Sequence, residues 1–235
     1  MRAPVTLFVG ENGSGKSTLL EGIAAAAELP AIGGNQIEFD DSLAPQRLLG
    51  AALRLSWSRR SRQGFFLRAE DFFGWLGRQA RDDARIAREL RESAQLRRTG
   101  SVVTPEPVEG SSIHPDEREA AKFVARWDAR SHGESFMDLF TTRVRPGGLY
   151  LLDEPEAPLS PMRQLSLLAL IIEAAEAGAQ FVIATHSPIL LACPGARIYS
   201  FDHPPVAKVS YADLEHVTVM RDFLNDPDAY IRRLR

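Results

Sequence analysis

Short apolar runs alternate with amphipathic segments along both ends of the chain, and a polar, helix-prone stretch lies between them. Apolar runs of four to six residues predict buried strands, whereas longer segments with apolar residues every three to four positions predict helices. The predicted strands cover residues 5–9, 53–57, 64–68, 148–152, 181–185, 196–201 and 207–211. The predicted helices cover residues 16 to about 30, 72–98, 116–129, 161–177 and 221–234.

The middle of the chain departs from this alternation. Residues 31–50 are predicted to be irregular, and residues 99–115 are rich in Pro, Gly and Ser and predict a loop between two helices. Since strands and helices alternate on either side, the pattern predicts an α/β fold with a mostly parallel sheet flanked by helices. We expect one domain over residues 1–235, with a helical insertion at about 72–135.

Composition narrows the class of protein. Hydrophobic residues make up 44% and charged residues 25% of the 235 residues, which is typical of a globular chain. The net charge of −3 gives no global electrostatic reason to bind nucleic acid. Cys193 is the single cysteine, so neither an internal disulfide nor a multi-cysteine metal site can form. Together with the lack of a signal-peptide pattern, this predicts a cytoplasmic location.

One stretch, residues 177–196, contains no Asp, Glu, Lys or Arg. Its length is that of a membrane-spanning helix, for which about 20 apolar residues are needed. However, it contains Gln180, His186, Pro188 and Pro194, and its apolar part is short. The stretch therefore predicts a buried strand followed by a loop, and we expect no membrane segment here.

A glycine-rich loop follows the first predicted strand and precedes the first predicted helix. Residues 10–17, read as GENGSGKS, match the pattern G-x-x-x-x-G-K-[ST] in full. In such a loop the backbone N–H groups point into one concavity that cradles phosphates, Lys16 reaches the β- and γ-phosphates, and Ser17 ligates Mg²⁺. The predicted nucleotide contacts are Gly10, Asn12, Gly13, Ser14, Gly15, Lys16, Ser17 and Thr18.

Two carboxylates stand at the end of the strand predicted at residues 148–152. Asp153 and Glu154 follow an apolar run, and ligands of α/β sheets bind at the carboxyl ends of strands. Alone, the pair would equally suit a surface turn before Pro155. With the phosphate loop upstream, Asp153 is predicted to hold Mg²⁺, and Glu154 to accept a proton from the attacking water.

A histidine follows the next buried strand. His186 lies 33 residues after Asp153, across one predicted helix, so we expect it to come from the neighbouring strand. A histidine at a strand end is commonly structural. Beside a phosphate loop, His186 can hydrogen-bond the γ-phosphate and the attacking water. Together with the roles given above for Lys16 and Glu154, this predicts Glu154, His186 and Lys16 as the catalytic residues.

The chain resembles the ATP-binding-cassette-like ATPases, and within them the small bacterial stand-alone ATPases of the AAA family. The segments that carry the resemblance cover about half of the chain and extend to both ends. They read VGENGSGKSTLLEGIA, FFLRAEDFF, SHGESF, GLYLLDEPEAPLSPMRQL, QFVIATHSPILLACPGA and RDFLNDPDAYIRRL. The resemblance implies a P-loop NTPase fold that uses ATP and Mg²⁺, with Lys16 and Ser17 as Walker A, Asp153 and Glu154 as Walker B, and His186 as the switch histidine.

The same resemblance implies an assembly. Residues 131–134, read as SHGE, stand where cassette ATPases usually have Ser-Gly-Gly-Gln. In that family the segment contacts the γ-phosphate held by a second subunit, which implies a nucleotide-dependent homodimer with Ser131, Gly133 and Glu134 at its interface. Residues 158–161, read as PLSP, match the loop after Walker B that lines this interface.

Three departures from the family pattern affect this assignment. His132 replaces a glycine and alters the contact with the second subunit. Glu70 stands at the usual glutamine position, which weakens the transfer of a Mg²⁺-ligating role to it. The antiparallel strands that usually precede the phosphate loop, with their adenine-stacking aromatic residue, are missing before Gly10. We therefore expect that adenine is held in another way or that the start codon is placed too late.

Four functions are compatible with these motifs. The favoured one is an ATP hydrolase that cycles between a monomer and an ATP-sandwich dimer; the alternatives are a non-hydrolysing switch that dimerises on ATP, a transporter ATPase subunit, and a DNA-associated ATPase similar to the SMC and recombination-type cassettes. The segment EPEAPLSP is similar to the soluble branch and disfavours transport. Seven Arg between residues 78 and 98 could meet DNA phosphates, but four acids in the same stretch favour a solvated helix. No protein partner is indicated.

Overall fold

The computed structural model describes residues 3–32, 44–57, 61, 63–72, 85, 88 and 132–234. Within these residues, seven strands form one sheet in the order β2-β3-β4-β5-β1-β6-β7. The strands are β1 (Val5–Val9), β2 (Ala31–Ile32), β3 (Gly64–Arg68), β4 (Leu149–Asp153), β5 (Gln180–Ala184), β6 (Arg197–Ser200) and β7 (Ala207–Val209). The helices are α1 (Lys16–Ala26), α2 (Ala44–Ala52), α3 (His132–Arg143), α4 (Pro161–Glu176), α5 (Pro188–Leu191), α6 (Glu215–Asn225) and α7 (Pro227–Arg233).

The sheet is parallel from β2 to β6, and β7 pairs antiparallel with β6. The strand that leads into the glycine-rich loop is central, because Leu7 of β1 is paired with Ile183 of β5 on one side and Ile198 of β6 on the other. Parallel strands end at the same edge of a sheet, so the segments after β1, β4 and β5 meet. The mostly parallel, helix-flanked sheet predicted from the sequence is confirmed.

Both faces of the sheet are covered, which explains why its strands read as continuous apolar runs. All five residues of β1 and all five of β4 are buried. On one face, Leu7 packs in a cluster with the phenylalanines and leucines of α3 and α4. On the other face, Phe8 packs with Leu20 and Ala24 of α1. Each large apolar side chain buried in this way contributes about 1.5–3 kcal/mol.

The prediction that residues 31–50 are irregular is wrong, since β2 and α2 lie within or overlap this range. Gly22 and Gly50 allow the helices α1 and α2 to pack closely here. A Cβ on Gly22 of α1 would lie 2.9 Å from Leu49 of α2, and a Cβ on Gly50 would lie 2.8 Å from Ala25. Contact between α1 and α2 therefore overrides the low helix propensity of glycine.

The strand predicted at residues 53–57 is also wrong. The segment follows α2 without pairing to the sheet, and the Leu53 N–H donates to the Leu49 and Gly50 carbonyls at 3.1 and 3.2 Å. Its alternating apolar residues, Leu53, Leu55 and Trp57, are half-buried against the α1 face of the core. A period of two is thus satisfied here by packing against helices rather than by a strand.

The C-terminal segment contains two helices, α6 and α7, where one was predicted at residues 221–234. They meet at Asp226, whose carboxylate accepts the Ala229 N–H at 3.0 Å, and Pro227 occupies the first turn of α7. An Asp-Pro pair is a helix-start signal, so the sequence did contain the break. The strand predicted at residues 207–211 ends earlier, at Val209, and a 3₁₀ turn follows it at Tyr211–Asp213.

The uncharged stretch at residues 177–196 forms β5 and a loop that includes α5, as predicted. Within the described ranges, no helix combines the length and the hydropathy that crossing a membrane requires. The helices predicted at 72–98 and 116–129, and the loop between them, lie outside the described residues except for helical residues 72, 85 and 88. The helical insertion and the single-domain division therefore stay predictions.

Candidate functional site

The loop between β1 and α1 has the conformation that its glycines allow. Gly13 and Gly15 have φ angles of 82° and 97°, a region that side chains other than glycine rarely adopt. A Cβ on either residue would meet no atom within 4 Å, so both glycines border open space. The Ser14 N–H donates to the Glu11 carbonyl at 3.2 Å and closes the turn. The result is an open, backbone-lined cradle at the N-terminus of α1.

Lys16 lies with its side chain against the backbone of this loop. Its side chain is buried, with 4% of the residue exposed. The ammonium group donates to the Gly10 carbonyl at 2.6 Å and to the Glu11 carbonyl at 3.0 Å. The positive charge is therefore held against the loop by backbone oxygens, at the place where the motif predicts phosphate binding.

A hydrogen bond from Ser17 to Asp153 connects the glycine-rich loop with the carboxylate pair at the end of β4. The Ser17 hydroxyl donates to Oδ1 of Asp153 at 3.1 Å, although 136 residues separate them. Ser17 belongs to the first turn of α1, and Asp153 is the last residue of β4. The fold thus brings together the two residues that the sequence predicted as ligands of Mg²⁺.

Asp153 is a buried carboxylate in a mixed electrostatic environment. Burial is the largest effect and, together with the nearby Glu154 charge, raises its pKa to about 6. The hydrogen bond from Ser17 and the positive charges of Arg68 and Lys16 partly offset this rise. The folded site therefore holds the proton of this carboxyl more tightly than an exposed aspartate would, because burial disfavours the charged form.

Arg68 is a residue of this site that the sequence analysis missed. It ends β3, and its Nε lies 3.7 Å from Oδ2 of Asp153. Its guanidinium also forms ion pairs with Glu21 of α1 and with Asp71. Glu70, which stands at the family's glutamine position, is exposed in the helical turn after β3. Arg68, rather than Glu70, is thus the residue of this segment that contacts Asp153.

Glu154 and His186 face each other across the ends of β4 and β5. Glu154 has a φ of 49°, unusual for a residue other than glycine, and its N–H donates to the Ala184 carbonyl at 2.9 Å. Its Oε1 lies 3.8 Å from Nε2 of His186. About two fifths of each side chain is exposed, with values of 42% and 39%. The predicted proximity of Glu154 to the histidine of the neighbouring strand is present.

Asp202 is a second residue that the sequence analysis missed, and it supports the phosphate loop from β6. Its Oδ1 accepts the Glu11 N–H at 2.8 Å, and its Oδ2 accepts the Ser200 hydroxyl at 2.8 Å. Burial raises the pKa of Asp202, but these hydrogen bonds, His203 and Lys16 lower it further, so the net shift is downward. No sequence motif marks Asp202, because its partner lies 191 residues away.

His216 of α6 lies in the same electrostatic neighbourhood. Burial and the nearby His186 lower its pKa more than Asp202 and Glu11 raise it. Tyr211, just before α6, donates its hydroxyl to the Pro188 carbonyl at 3.1 Å, next to the His186 loop. The C-terminal segment is thereby joined to the edge of the sheet that carries the candidate site.

Of residues 131–134, the structure describes contacts for Gly133 and Glu134, and these lie with the segment after Glu154. Ser131 lies outside the described residues, and α3 begins at His132. Gly133 is buried, and a Cβ there would lie 2.4 Å from Arg163 Nη1 and 3.2 Å from the Pro158 carbonyl. Glu134 is exposed and pairs with Arg163 at 3.0 Å. The α3 start therefore packs beside the loop after Glu154, and its contact with a nucleotide stays a prediction.

The remaining loop positions fit a phosphate-bearing ligand. Asn12 and Thr18 are exposed beside the cradle. The Ser14 hydroxyl is buried and has no hydrogen-bond partner among the described residues. Within the same ranges, no group of three or more His, Cys, Asp or Glu is placed to hold a metal ion by itself. A magnesium nucleotide suits this arrangement, since Mg²⁺ in such sites uses one or two protein ligands together with phosphate oxygens.

Two models of known families match parts of the chain. A family model described as "AAA domain, putative AbiEii toxin, Type IV TA system" matches residues 108–192, and one described as "AAA domain" matches residues 2–28. The two segments contain the phosphate loop, the Asp153–Glu154 pair and His186. The parallel sheet and the glycine-rich loop between β1 and α1 have the arrangement of a P-loop NTPase fold. The chain is similar to AAA domains over these two segments, which confirms the resemblance inferred from the motifs.

Two solved structures are among those that match. The SMC head domain from Thermotoga maritima is 22% identical with a TM-score of 0.27, and the match covers 35% of this chain and 33% of that chain. An ABC transporter of metal-chelate type, in an inward-facing conformation, is 16% identical with a TM-score of 0.44, and the match covers 94% of this chain and 80% of that chain. No curated protein matches the sequence.

Proposed function

We propose that the protein binds Mg-ATP and hydrolyses it to ADP and phosphate. The observation that carries this proposal is the hydrogen bond between Ser17 and Asp153, which places the phosphate loop and the acidic strand end at one edge of the sheet. Lys16, Glu154 and His186 lie at the same edge. This is the set of charges and donors that phosphoryl transfer to water requires.

Each residue has a role that follows from its position. Lys16 exchanges the Gly10 and Glu11 carbonyls for the β- and γ-phosphate oxygens, and the backbone N–H groups around Gly13 and Gly15 bind the same phosphates. Ser17 and Asp153 would hold Mg²⁺, which when bound would supply positive charge to neutralise the phosphate oxygens.

Glu154 and His186 act on the attacking water. Glu154 accepts its proton as the water oxygen bonds to the γ-phosphorus and the bond from phosphorus to the β–γ bridging oxygen breaks. His186 faces Glu154 from β5 and is placed to orient the water and the γ-phosphate by hydrogen bonds. Both side chains are partly exposed, and the His186 Nε2 atom is buried without a hydrogen-bond partner among the described residues.

The proposed cycle includes a homodimer. In a single chain, the start of α3 lies beside Pro158 and Arg163. A second copy related by two-fold symmetry would bring Ser131, Gly133 and Glu134 to the open side of the γ-phosphate, with two identical interfaces. ATP then stabilises the dimer, and hydrolysis removes the group that both chains contact.

Nucleotide binding is tested by Lys16→Ala. We expect the substitution to weaken Mg-ATP binding by at least about 10²-fold, since it removes charge-assisted hydrogen bonds to two phosphates. Isothermal titration calorimetry of both proteins measures the effect. Lys208→Ala, on the exposed strand β7, is the matched control and should bind like the wild type. Equal affinity of Lys16→Ala and the wild type would exclude the loop as the nucleotide site.

Assembly is tested with a variant that binds ATP without turning it over. Glu154→Gln is expected to be monomeric without nucleotide and dimeric with Mg-ATP, as measured by light scattering on a sizing column. Adding Ser131→Arg should block the dimer and leave ATP binding to the monomer nearly unchanged. Ser210→Arg, at the exposed β7 end, is the control and should not affect dimerisation. If Glu154→Gln stays monomeric at saturating ATP, the sandwich dimer is wrong for this protein.

A further inference from the structure

Glu154 and His186 lie in the loops that follow the paired strands β4 and β5. Strands β4 and β5 pair in parallel, ending with Asp153 beside Ala184. The hydrogen bond from the Glu154 N–H to the Ala184 carbonyl, 2.9 Å long, is the next contact between the two segments. Beyond it, neither loop has strand pairing. The relative position of Glu154 and His186 therefore depends on contacts made after the strands end.

Glu156 makes such a contact. Its Oε1 accepts the His186 N–H at 2.7 Å and the Ser187 N–H at 3.1 Å, across 30 and 31 residues of sequence. Hydrogen bonds to an ionised carboxylate are short and about twice as strong as neutral ones. One side chain from the β4 loop thus holds two consecutive backbone groups of the β5 loop.

The contact from Glu156 to the β5 loop carries a desolvation penalty, because the carboxylate is buried. Burial, and to a smaller extent the Glu154 charge, raises the pKa of Glu156, against hydrogen bonds from Thr185 and from backbone N–H groups. Its second oxygen, Oε2, is buried and has no hydrogen-bond partner among the described residues. Burying a carboxylate that is incompletely paired destabilises a fold, so loop closure alone does not explain this residue.

We infer that Glu156 is a positioning residue, which fixes the backbone of His186 so that the imidazole faces Glu154 and the attacking water. The inference rests on the proposed hydrolysis for its consequence, but its structural part, the fixed orientation of His186, is independent of turnover. The imidazole Nε2 lies 3.8 Å from Glu154 Oε1, too far for a hydrogen bond between them, and Nε2 has no hydrogen-bond partner among the described residues. The backbone contact from Glu156 supplies that constraint instead.

A second anchor keeps the loop folded when Glu156 is changed. The Ser187 hydroxyl donates to Gln164 Oε1 of α4 at 2.7 Å and accepts the Leu190 N–H at 3.2 Å. Gln164 also donates to the Leu159 carbonyl at 3.0 Å. These contacts hold Ser187 and α5, so loss of the Glu156 carboxylate loosens His186 without unfolding the segment.

Steady-state kinetics test the functional part. Glu156→Gln keeps the shape and removes the charge, and we expect kcat to fall about 10- to 100-fold with KM for ATP changed less than about threefold, because misplacement of a catalytic group by 1 Å costs about this much. In a His186→Ala background the same substitution should change kcat less than about twofold. Equal, additive losses in both backgrounds would overturn the inference.

Nuclear magnetic resonance tests the structural part without ATP. Protein labelled with ¹⁵N-histidine gives one amide signal per histidine, and the His186 signal is assigned by its loss in His186→Ala. We expect Glu156→Gln to move this signal upfield and to broaden the His186 ring signals. Glu156→Ala should do the same to a larger extent, which covers the case in which Gln retains part of the contact. Unchanged His186 signals in both variants would overturn the inference.

The control separates positioning from general loss of stability. Tyr150→Phe removes a buried hydroxyl that bonds the Arg145 N–H at 2.6 Å, near the opposite end of β4. It should lower the melting temperature and leave kcat and the His186 signals unchanged. If the wild type itself does not hydrolyse ATP, the proposed function fails, and the spectra still decide whether Glu156 orients His186.

Discussion

Glu154→Gln is expected to bind Mg-ATP as the wild type does and to lose turnover by about 10²–10⁴-fold, the range typical of removing a general base. The side chain is 42% exposed and adjoins His186, so an amide of the same shape disturbs little packing. Its left-handed backbone, with φ of 49°, is a property of the loop that the amide shares. The expected loss of turnover is therefore due to the missing proton acceptor and not to impaired folding or ATP binding.

Phosphate release at saturating ATP measures this effect, and calorimetry on the same protein measures binding. Glu176→Gln, an exposed residue at the end of α4, is the matched control and should keep full turnover. Unchanged turnover in Glu154→Gln would assign the base to another residue. A wild type that binds ATP without releasing phosphate would instead support the non-hydrolysing switch.

The parts of the site that the sequence predicted are those in which local residues and their spacing determine the chemistry. The phosphate loop is one continuous segment between a strand and a helix, so Lys16 and Ser17 could be placed without knowledge of the fold. Asp153 ends β4 and His186 follows the adjacent parallel strand β5, and the apolar runs before them indicated that arrangement. The roles of these residues stay proposals until the variants are measured.

The residues that were missed act across long stretches of sequence. Arg68, Glu156 and Asp202 contact partners in distant segments of the chain, and each looks like an ordinary surface charge when read in its own segment. The helix α2 was missed for a related reason, because the sequence does not show that Gly50 packs against Ala25 of α1. Tertiary contacts determine these features, and a single sequence contains no direct signal of them.

Asp153→Asn is expected to make the nucleotide-free protein more stable at pH 7.5, by about 2–3 kcal/mol. The folded protein raises the pKa of Asp153 from its ordinary 3.8 to about 6, chiefly by burial, and each pKa unit corresponds to about 1.4 kcal/mol. Asparagine has no charge to desolvate and can still accept the Ser17 hydroxyl. Arg68 retains its ion pairs with Glu21 and Asp71 in the variant.

The pH dependence follows from the direction of the shift. Below the ordinary value of 3.8 the carboxyl is protonated in both the folded and the unfolded chain, so Asp153 does not affect stability there. Between that value and about 6 the folded chain binds the proton more tightly, so the contribution of Asp153 to the free energy of unfolding falls as pH rises. Above pH 6 to 7 the full unfavourable contribution is present. The advantage of Asp153→Asn should therefore grow from pH 4 to pH 7 and then stay constant.

Thermal unfolding followed by circular dichroism, with and without Mg-ATP, tests this prediction. Without ligand the variant should melt several degrees higher, since about 1 kcal/mol shifts the melting temperature of a chain this long by about 2–4 °C. With Mg-ATP at about 100 times its dissociation constant the wild type gains about 2.7 kcal/mol, whereas a variant that lacks a metal-ligating carboxylate gains less. Mg-ATP should therefore reduce or reverse the difference in melting temperature between Asp153→Asn and the wild type. Asp222→Asn, an exposed change on α6, should leave the melting temperature unchanged both without and with Mg-ATP. If Asp153→Asn is the less stable protein without ligand at pH 7.5, the charges of Arg68 and Lys16 outweigh burial, and Asp153 is then a paired structural carboxylate rather than one kept uncompensated for a metal ion.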